Sequence, residues 1–318
     1  MNEGNHSGAV KSAMSATLGG QNAAEPDDYT VRSRFYPPPA DFDGCFTTFY
    51  RLILDVKGSG TVVDYLQPEW ANLRYFSGGD LKAELGSTRV EAPPFGATGP
   101  SSRPCRFELG TSQVWGIGIL PIGWARFMDV DAYDRINIVS NGATDPVFAK
   151  FDCMTDVLCN PEIDEEEQYE TIVTNMRALM RPNRDEAKIL RVHKALVDET
   201  LASVAELADA SGMSVRTLER VCRRYFGFTP KLLMRRQRFM RSLTTFMLHE
   251  GQRGGQRWTE SMDEHYHDQA QFTREFHEFM TMNPSEYASL DHPILSAFVE
   301  ARARVWGSAA QTLDKPAR

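Results

Sequence analysis

Gly212-Met213-Ser214-Val215-Arg216-Thr217-Leu218-Glu219-Arg220 is the stretch that decides how the C-terminal half of this 318-residue chain is read. Upstream of it, Ser203-Val204-Ala205-Glu206 has the form of a capping box, in which the Ser and Glu side chains satisfy the unpaired N–H groups of a helix start. Val204, Leu207 and Ala208 would form that helix's inner face, and Gly212 can turn the chain with positive φ. Ser214 then caps a second helix, with Val215, Leu218, Val221 and Cys222 expected to face inward. This spacing is that of a helix-turn-helix. Arg216, Thr217, Arg220 and Arg223 share the outer face. Such a face fits the major groove, where Arg pairs with guanine O6 and N7. The plainer alternative is a solvated basic helix in an ordinary helical bundle.

Further along, Thr229-Pro230 is an N-cap with Pro at the first helical position, opening a helix to about His249. Its stripe of Leu232, Leu233, Arg236, Phe239, Met240, Leu243, Phe246 and Met247 is apolar but for Arg236. Trp258 to Tyr266 reads as a short helix, and Asp268-Gln269-Ala270-Gln271 as another cap. The helix that follows buries Phe272, Phe276 and Phe279 and exposes Gln269, Thr273, Arg274 and His277. Asn283-Pro284-Ser285-Glu286 opens a final turn, so the second unit repeats the first.

Together with Phe226-Gly227-Phe228-Thr229-Pro230-Lys231, Tyr266 to Phe276 and Met282-Asn283-Pro284-Ser285-Glu286-Tyr287, the opening stretch resembles the DNA-binding domain of the AraC/XylS family of bacterial transcriptional regulators over residues 184–290. The resemblance implies two helix-turn-helix units joined by the long helix, their recognition helices entering successive major-groove turns about 34 Å apart. It makes Arg216, Thr217 and Arg220 base-reading candidates in the first unit, and Gln269, Gln271 and Arg274 in the second. Arg223, Arg224, Lys231 and Arg235 are phosphate contacts or solvated charges. Two departures stand out. His265-Tyr266 occupies the second turn, and Thr281 stands before the closing motif, where the family usually has Gly. A non-Gly residue at positive φ costs roughly 1 kcal/mol, so the second unit is expected to be distorted or to read DNA less tightly.

Working toward the N-terminus, the texture changes. Residues 163–181 form a helical pattern (Ile163, Tyr169, Ile172, Val173, Met176, Leu179, Met180) that begins with acids, which suit a helix N-terminus. Its apolar stripe either pairs with a second copy or packs on its own domain. Residues 29–155 carry short β-branched and aromatic runs: 46–54, 73–76, 114–120 and 135–139, divided by Gly and Pro clusters. The expected fold class is α+β: a cupin-like small β-barrel or sandwich with helices, then an all-α domain with two helix-turn-helix units. Residues 1–28, rich in Gly, Ser, Asn and Ala, are expected to be a disordered tail. Residues 29–183 are the sensor or dimerisation domain, 184–290 the DNA-binding domain and 291–318 a C-terminal tail.

The net charge of −8 argues on its face against nucleic acid. Divided at residue 183, however, the first part carries −10, while 216–241 holds nine Lys or Arg against the single acid Glu219. The distribution therefore points to DNA. Five scattered cysteines without a CxxC pair fit reduced thiols. With no long apolar run and no signal-peptide pattern, a membrane is not expected and the location reads as cytoplasmic. No histidine lies between 7 and 192, which excludes a His-ligated metal site in the β domain. No metal or other cofactor is expected. No catalytic constellation is visible either, and the chain is read as not an enzyme. Trp70, Tyr75, Phe76, Trp115 and Trp124 are either core or the lining of an effector pocket. The expected partners are double-stranded promoter DNA, a small-molecule effector, a second copy of the chain and RNA polymerase. The competing reading is an effector-binding or interaction protein whose helical domain binds DNA weakly or without specificity.

Overall fold

The computed structural model describes residues 28–250 and 258–316. The expected disordered tail lies, but for Asp28, outside the described residues. Ten strands come first: β1 (Tyr29–Tyr36), β2 (Phe46–Val56), β3 (Val62–Leu66), β4 (Ala71–Ser77), β5 (Lys82–Leu85), β6 (Thr88–Glu91), β7 (Phe95–Thr98), β8 (Cys105–Leu109), β9 (Ser112–Ile119) and β10 (Val139–Asn141). They form an antiparallel six-stranded sheet, β1-β2-β9-β4-β7-β10, facing a four-stranded one, β3-β8-β5-β6. The runs at 46–54, 73–76 and 114–120 fall on β2, β4 and β9, with the last residue, Leu120, just beyond. The run at 135–139 does not form one strand. Its first residue closes a 3-10 turn, Ala132–Arg135, and only Val139 joins β10.

Two apolar layers follow. Val31, Leu54, Leu85 and Leu109 belong to the core between the sheets. The other layer lies under the helices α1 (Pro121–Phe127), α2 (Thr155–Leu158) and α3 (Glu165–Leu179). Asp164 caps α3 by accepting from the Glu167 N–H. Tyr169, Ile172, Val173 and Met176 are buried against Phe49, Leu73 and Ile117 of the same chain, so α3 packs on its own domain and its stripe is not left for a second copy.

The helical part runs α4 (Glu186–Leu196), α5 (Val204–Ala210), α6 (Val215–Val221), α7 (Pro230–Glu250), α8 (Trp258–Ser261), α9 (Gln269–Met280) and α10 (Pro284–Ala288). A further helix, α11 (Leu295–Trp306), lies within what the sequence offered only as a tail. Its apolar positions serve two cores: Ile294, Phe298 and Ala301 pack with the sheets, and Leu295 and Val299 with α7 and α9. Asp64 of β3 fixes its start, accepting from the Ile294 and Leu295 N–H groups at 2.9 and 2.7 Å. That cap comes from a residue 230 positions away in sequence, so no local pattern could announce it.

Candidate nucleic-acid interface

In the first unit, local sequence builds the geometry. Ser203 and Glu206 complete the capping box of α5, and Gly212 turns the chain at φ +63° with open space around it. Ser214 caps α6 by accepting from the Thr217 N–H. Leu207, Ala208, Leu218, Val221 and Cys222 are buried together with Ile189 and Val192 of α4. Val215, expected to face inward, is instead 44% exposed. The first helical residue sits beyond the edge of the contact with α5, and only Leu218 and Val221, further along, reach the core.

Arg216 and Arg220 are exposed on the same outer face, and Thr217 lies half-buried beside them with its hydroxyl 3.0 Å from that of Ser214. Among the described residues, neither arginine makes a salt bridge. After α6 the chain widens into a π-helical turn, Cys222–Phe226, that Gly227 ends at φ +84°. A side chain on Gly227 would collide with Ile136 and Pro100, because the β domain packs directly against this turn. Trp70, Leu120, Ile122 and Ala125 from that domain belong to the same apolar core as the first unit.

The phosphate candidates separate. Lys231 is exposed at the start of α7. Arg223 lies over the Tyr133 ring at 4.9 Å, and Arg224 Nε is 3.3 Å from Asp131 Oδ1, both on the acidic loop 129–134 of the β domain. Arg235 is engaged within the protein. Its Nε donates to Glu275 at 2.8 Å, and a terminal nitrogen pairs with Glu278. Arg238 donates to the same Glu275 oxygen at 2.6 Å, Tyr266 donates to the other at 2.9 Å, and Arg241 pairs with Asp263. Arg236 is fully buried, 3.9 Å above the Trp70 ring, and donates to the Ser101 carbonyl at 2.9 Å. Burial pulls its guanidinium pKa below the ordinary value. Four of the nine basic residues between 216 and 241 thus hold the molecule together rather than face solvent.

The second unit uses this ion network where the first uses Gly. No residue of its 263–268 turn has positive φ. Asp263 instead accepts from the His265 N–H at 3.0 Å while Arg241 holds its carboxylate. Thr281 does take the left-handed conformation, at φ +57°, and its N–H bonds the His277 carbonyl. Of the base-reading candidates, Gln269 and Arg274 are exposed on α9. Gln271 is committed to the cap, its Oε1 accepting from the His267 N–H at 3.1 Å. Thr273 and His277 complete the outward face.

The aromatic candidates for an effector pocket are dispersed. Trp70 packs against the first unit. Trp115 lies under α3, donating to Gln168 at 2.7 Å, and Tyr75 stacks on Phe95 at 4.5 Å. Trp124 is buried under the helices and donates to the Val130 carbonyl. Only Phe76 faces the cavity between the sheets. That cavity, about 120 Å³, is lined instead by residues such as Tyr50, Leu52, Arg74, Phe107 and Phe298. The alternating pattern identified strands but not which face would enclose space. Tyr50, Gly116 and Arg74 are level across β2, β9 and β4, so the row itself could have suggested the site.

The two helix-turn-helix units share the long helix α7. Residues 202–235 match the family described as bacterial regulatory helix-turn-helix proteins, AraC family. The chain carries a helix-turn-helix unit of the kind that family describes. No curated protein matches it over its sequence. Among solved structures, ToxT from Vibrio cholerae is similar at 11% identity and a TM-score of 0.40, over 82% of this chain and 98% of that one. An unsaturated fatty acid-bound form of ToxT scores 0.40 at 10% identity, over 85% and 97%. The AraC-like transcriptional activator CuxR scores 0.29 at 12% identity, over 71% and 87%. Likenesses this distant do not carry ligands or partners across. Among the described residues, no helix is long and apolar enough to cross a membrane.

Proposed function

We propose that the chain reads a promoter sequence-specifically, with α6 and α9 in successive major grooves, and that the β domain binds an effector. The observation that carries this reading is the contrast on the arginines: Arg216, Arg220 and Arg274 point outward without a salt bridge among the described residues, whereas Arg235, Arg238 and Arg241 are paired internally. Free guanidinium groups on a recognition helix can pair bidentately with guanine, and each such contact discriminates by about 1–3 kcal/mol. The first unit is the stronger reader, because its turn and caps are complete while Gln271 of the second is tied to its own backbone. Lys231 supplies a phosphate contact, and Arg223 and Arg224 supply theirs once the 129–134 loop gives way. The protein acts in the cytoplasm with RNA polymerase as partner at the promoter. A dimer belongs to this reading too, through a face other than α3, whose stripe is already covered.

The test is selection of DNA fragments on the purified protein, followed by the Arg220→Ala variant on the recovered site. Affinity should fall by about 1–3 kcal/mol and preference should relax at one base position. An unchanged sequence preference removes Arg220 as a reader. Binding that is erased by moderate salt and shows no preferred site would instead favour the effector-binding protein with a weak, nonspecific helical domain.

A further inference from the structure

The cavity between the sheets has a defined chemistry. Gly116 carries no side chain, so the Tyr50 ring can lie across β9, where a Cβ would come within 1.9 Å of it. The Tyr50 oxygen thereby accepts from Arg74 Nε at 3.0 Å. Arg74 is also held by both oxygens of Glu69, each at 2.8 Å. At the other wall, Arg302 of α11 pairs with Asp314. Each cation that lines the cavity therefore already has its own carboxylate. An anionic ligand would have to displace Glu69 or Asp314 and leave a buried acid uncompensated, and a cationic one finds no spare acid. The remaining lining is apolar but for Gln67, Thr98 and Gln311, and burial raises the Tyr50 pKa, so the hydroxyl keeps its proton. With its oxygen accepting from Arg74, that O–H is a donor left to point inward, alongside the Thr98 hydroxyl that also lines the cavity.

Size sets a second limit. An apolar cavity of roughly 150 Å³ takes benzene, so about 120 Å³ suits a molecule of about one aromatic ring. A third observation concerns the walls. Ile294, Phe298, Arg302 and Gln311 close one side, and no described residue between 184 and 290 lines the cavity. Gln311 is locked to Asn72 of β4 by a reciprocal amide pair at 3.1 and 3.0 Å. Leu295 and Val299, which also line the cavity, belong to the core of the second unit.

We propose that this cavity takes an uncharged, mainly apolar molecule of about one aromatic ring bearing one hydrogen-bond acceptor, and that α11 carries its presence to the second helix-turn-helix unit. The proposal rests on the effector reading above and gives it a ligand class and a route.

Acetophenone, benzoate and benzylamine offer one ring with a neutral, anionic or cationic substituent, and their binding to the full chain can be followed by calorimetry. Acetophenone should bind saturably, at least tenfold more tightly than either charged analogue. Ala83→Leu, which fills the lining, should abolish binding, and Tyr50→Phe should weaken acetophenone several-fold while leaving toluene unchanged. Both variants are first checked for native circular dichroism. In hydrogen exchange, acetophenone should alter protection in 290–314 and in 269–288. Benzoate binding as tight as acetophenone overturns the ligand class but not the effector reading. Saturable binding with exchange changes confined to the strands overturns the route through α11. No saturable binding by any of the three overturns the cavity as the site. DNA binding measured on the same preparation reports separately whether the regulator reading stands.

Discussion

The two helix-turn-helix units solve one problem with different chemistry. The first turns on Gly212, at φ +63°, and leaves its recognition-helix arginines outside. The second lacks a left-handed residue in its turn and is braced by Asp263 and Glu275 against arginines of α7. In the first turn one arginine, Arg191, donates to the Ser211 carbonyl. In the second, Arg238 and Arg241 of α7 are spent on the turn, while Arg274 of α9 stays outside. A basic segment therefore does not report how much positive surface exists.

The comparison breaks most sharply at Glu275. Replacing it with Ala removes the acid that Arg235, Arg238 and Tyr266 share, leaving Arg235 with Glu278 alone and the partly buried Arg238 without a carboxylate. Such a loss costs about 3–5 kcal/mol. Thermal unfolding should fall by several degrees, with hydrogen exchange rising in 258–288 and little in 203–226. Equal loosening of both units would show that they are not braced differently.

A smaller effect, on the order of a few kcal/mol, is expected from pH at the first unit's interface. His193 of α4 is buried edge-on to Trp70 and Phe226, and burial, helped by the Arg236 charge, pushes it down to about 4. In the unfolded chain it titrates near ~6.5, so in the window between the two values the unfolded state binds the extra proton. Stability should therefore be full above about pH 6.5 and fall as the pH drops toward 4. His193→Asn should flatten that slope relative to the wild type in urea titrations, and a parallel pH profile would assign it to other groups.

Salt dependence separates the cations of α7 by about one phosphate contact. Lys231→Ala should lower the slope of log K against log salt by about 1, whereas Arg235→Ala should leave it unchanged even if the fold is weakened. A reduced slope for Arg235→Ala would show that its network opens on DNA. The smallest effect is at Thr281, held at φ +57°. Thr281→Gly should stabilise by about 1 kcal/mol or less, because relief of the left-handed strain is partly offset by the greater freedom of the unfolded chain. Any destabilisation would mean that the Thr side chain contributes contacts beyond its backbone.

What was legible before the fold was known shares one physical property: the interacting groups are three to seven residues apart. The Ser203–Glu206 box, the Ser214 cap and the Asp268 cap were all readable in this way, as were the inward Leu207, Leu218, Phe272 and Phe276. Val215 failed because periodicity gives a face and not where that face ends. Four of the five aromatics do not line the cavity between the sheets, because strand alternation does not tell a face that meets helices, as for Trp115, from one that meets a cavity, as for Phe76. The C-terminal helix was missed because its cap, Asp64, comes from a strand 230 residues earlier.

By itself the sequence determined the two capped helix pairs, the long helix between them and the β-rich half before them, because caps, turns and periodicities act over one or two helical turns. Tertiary structure alone decided which arginines face solvent, since the acids that neutralise Arg235, Arg238 and Arg241 lie 22 to 43 positions away. It also decided that residues between 294 and 311 form the wall shared by the cavity and the second unit. Packing brings together groups that no local pattern relates, and both the free charge and the enclosed space of this protein arise there.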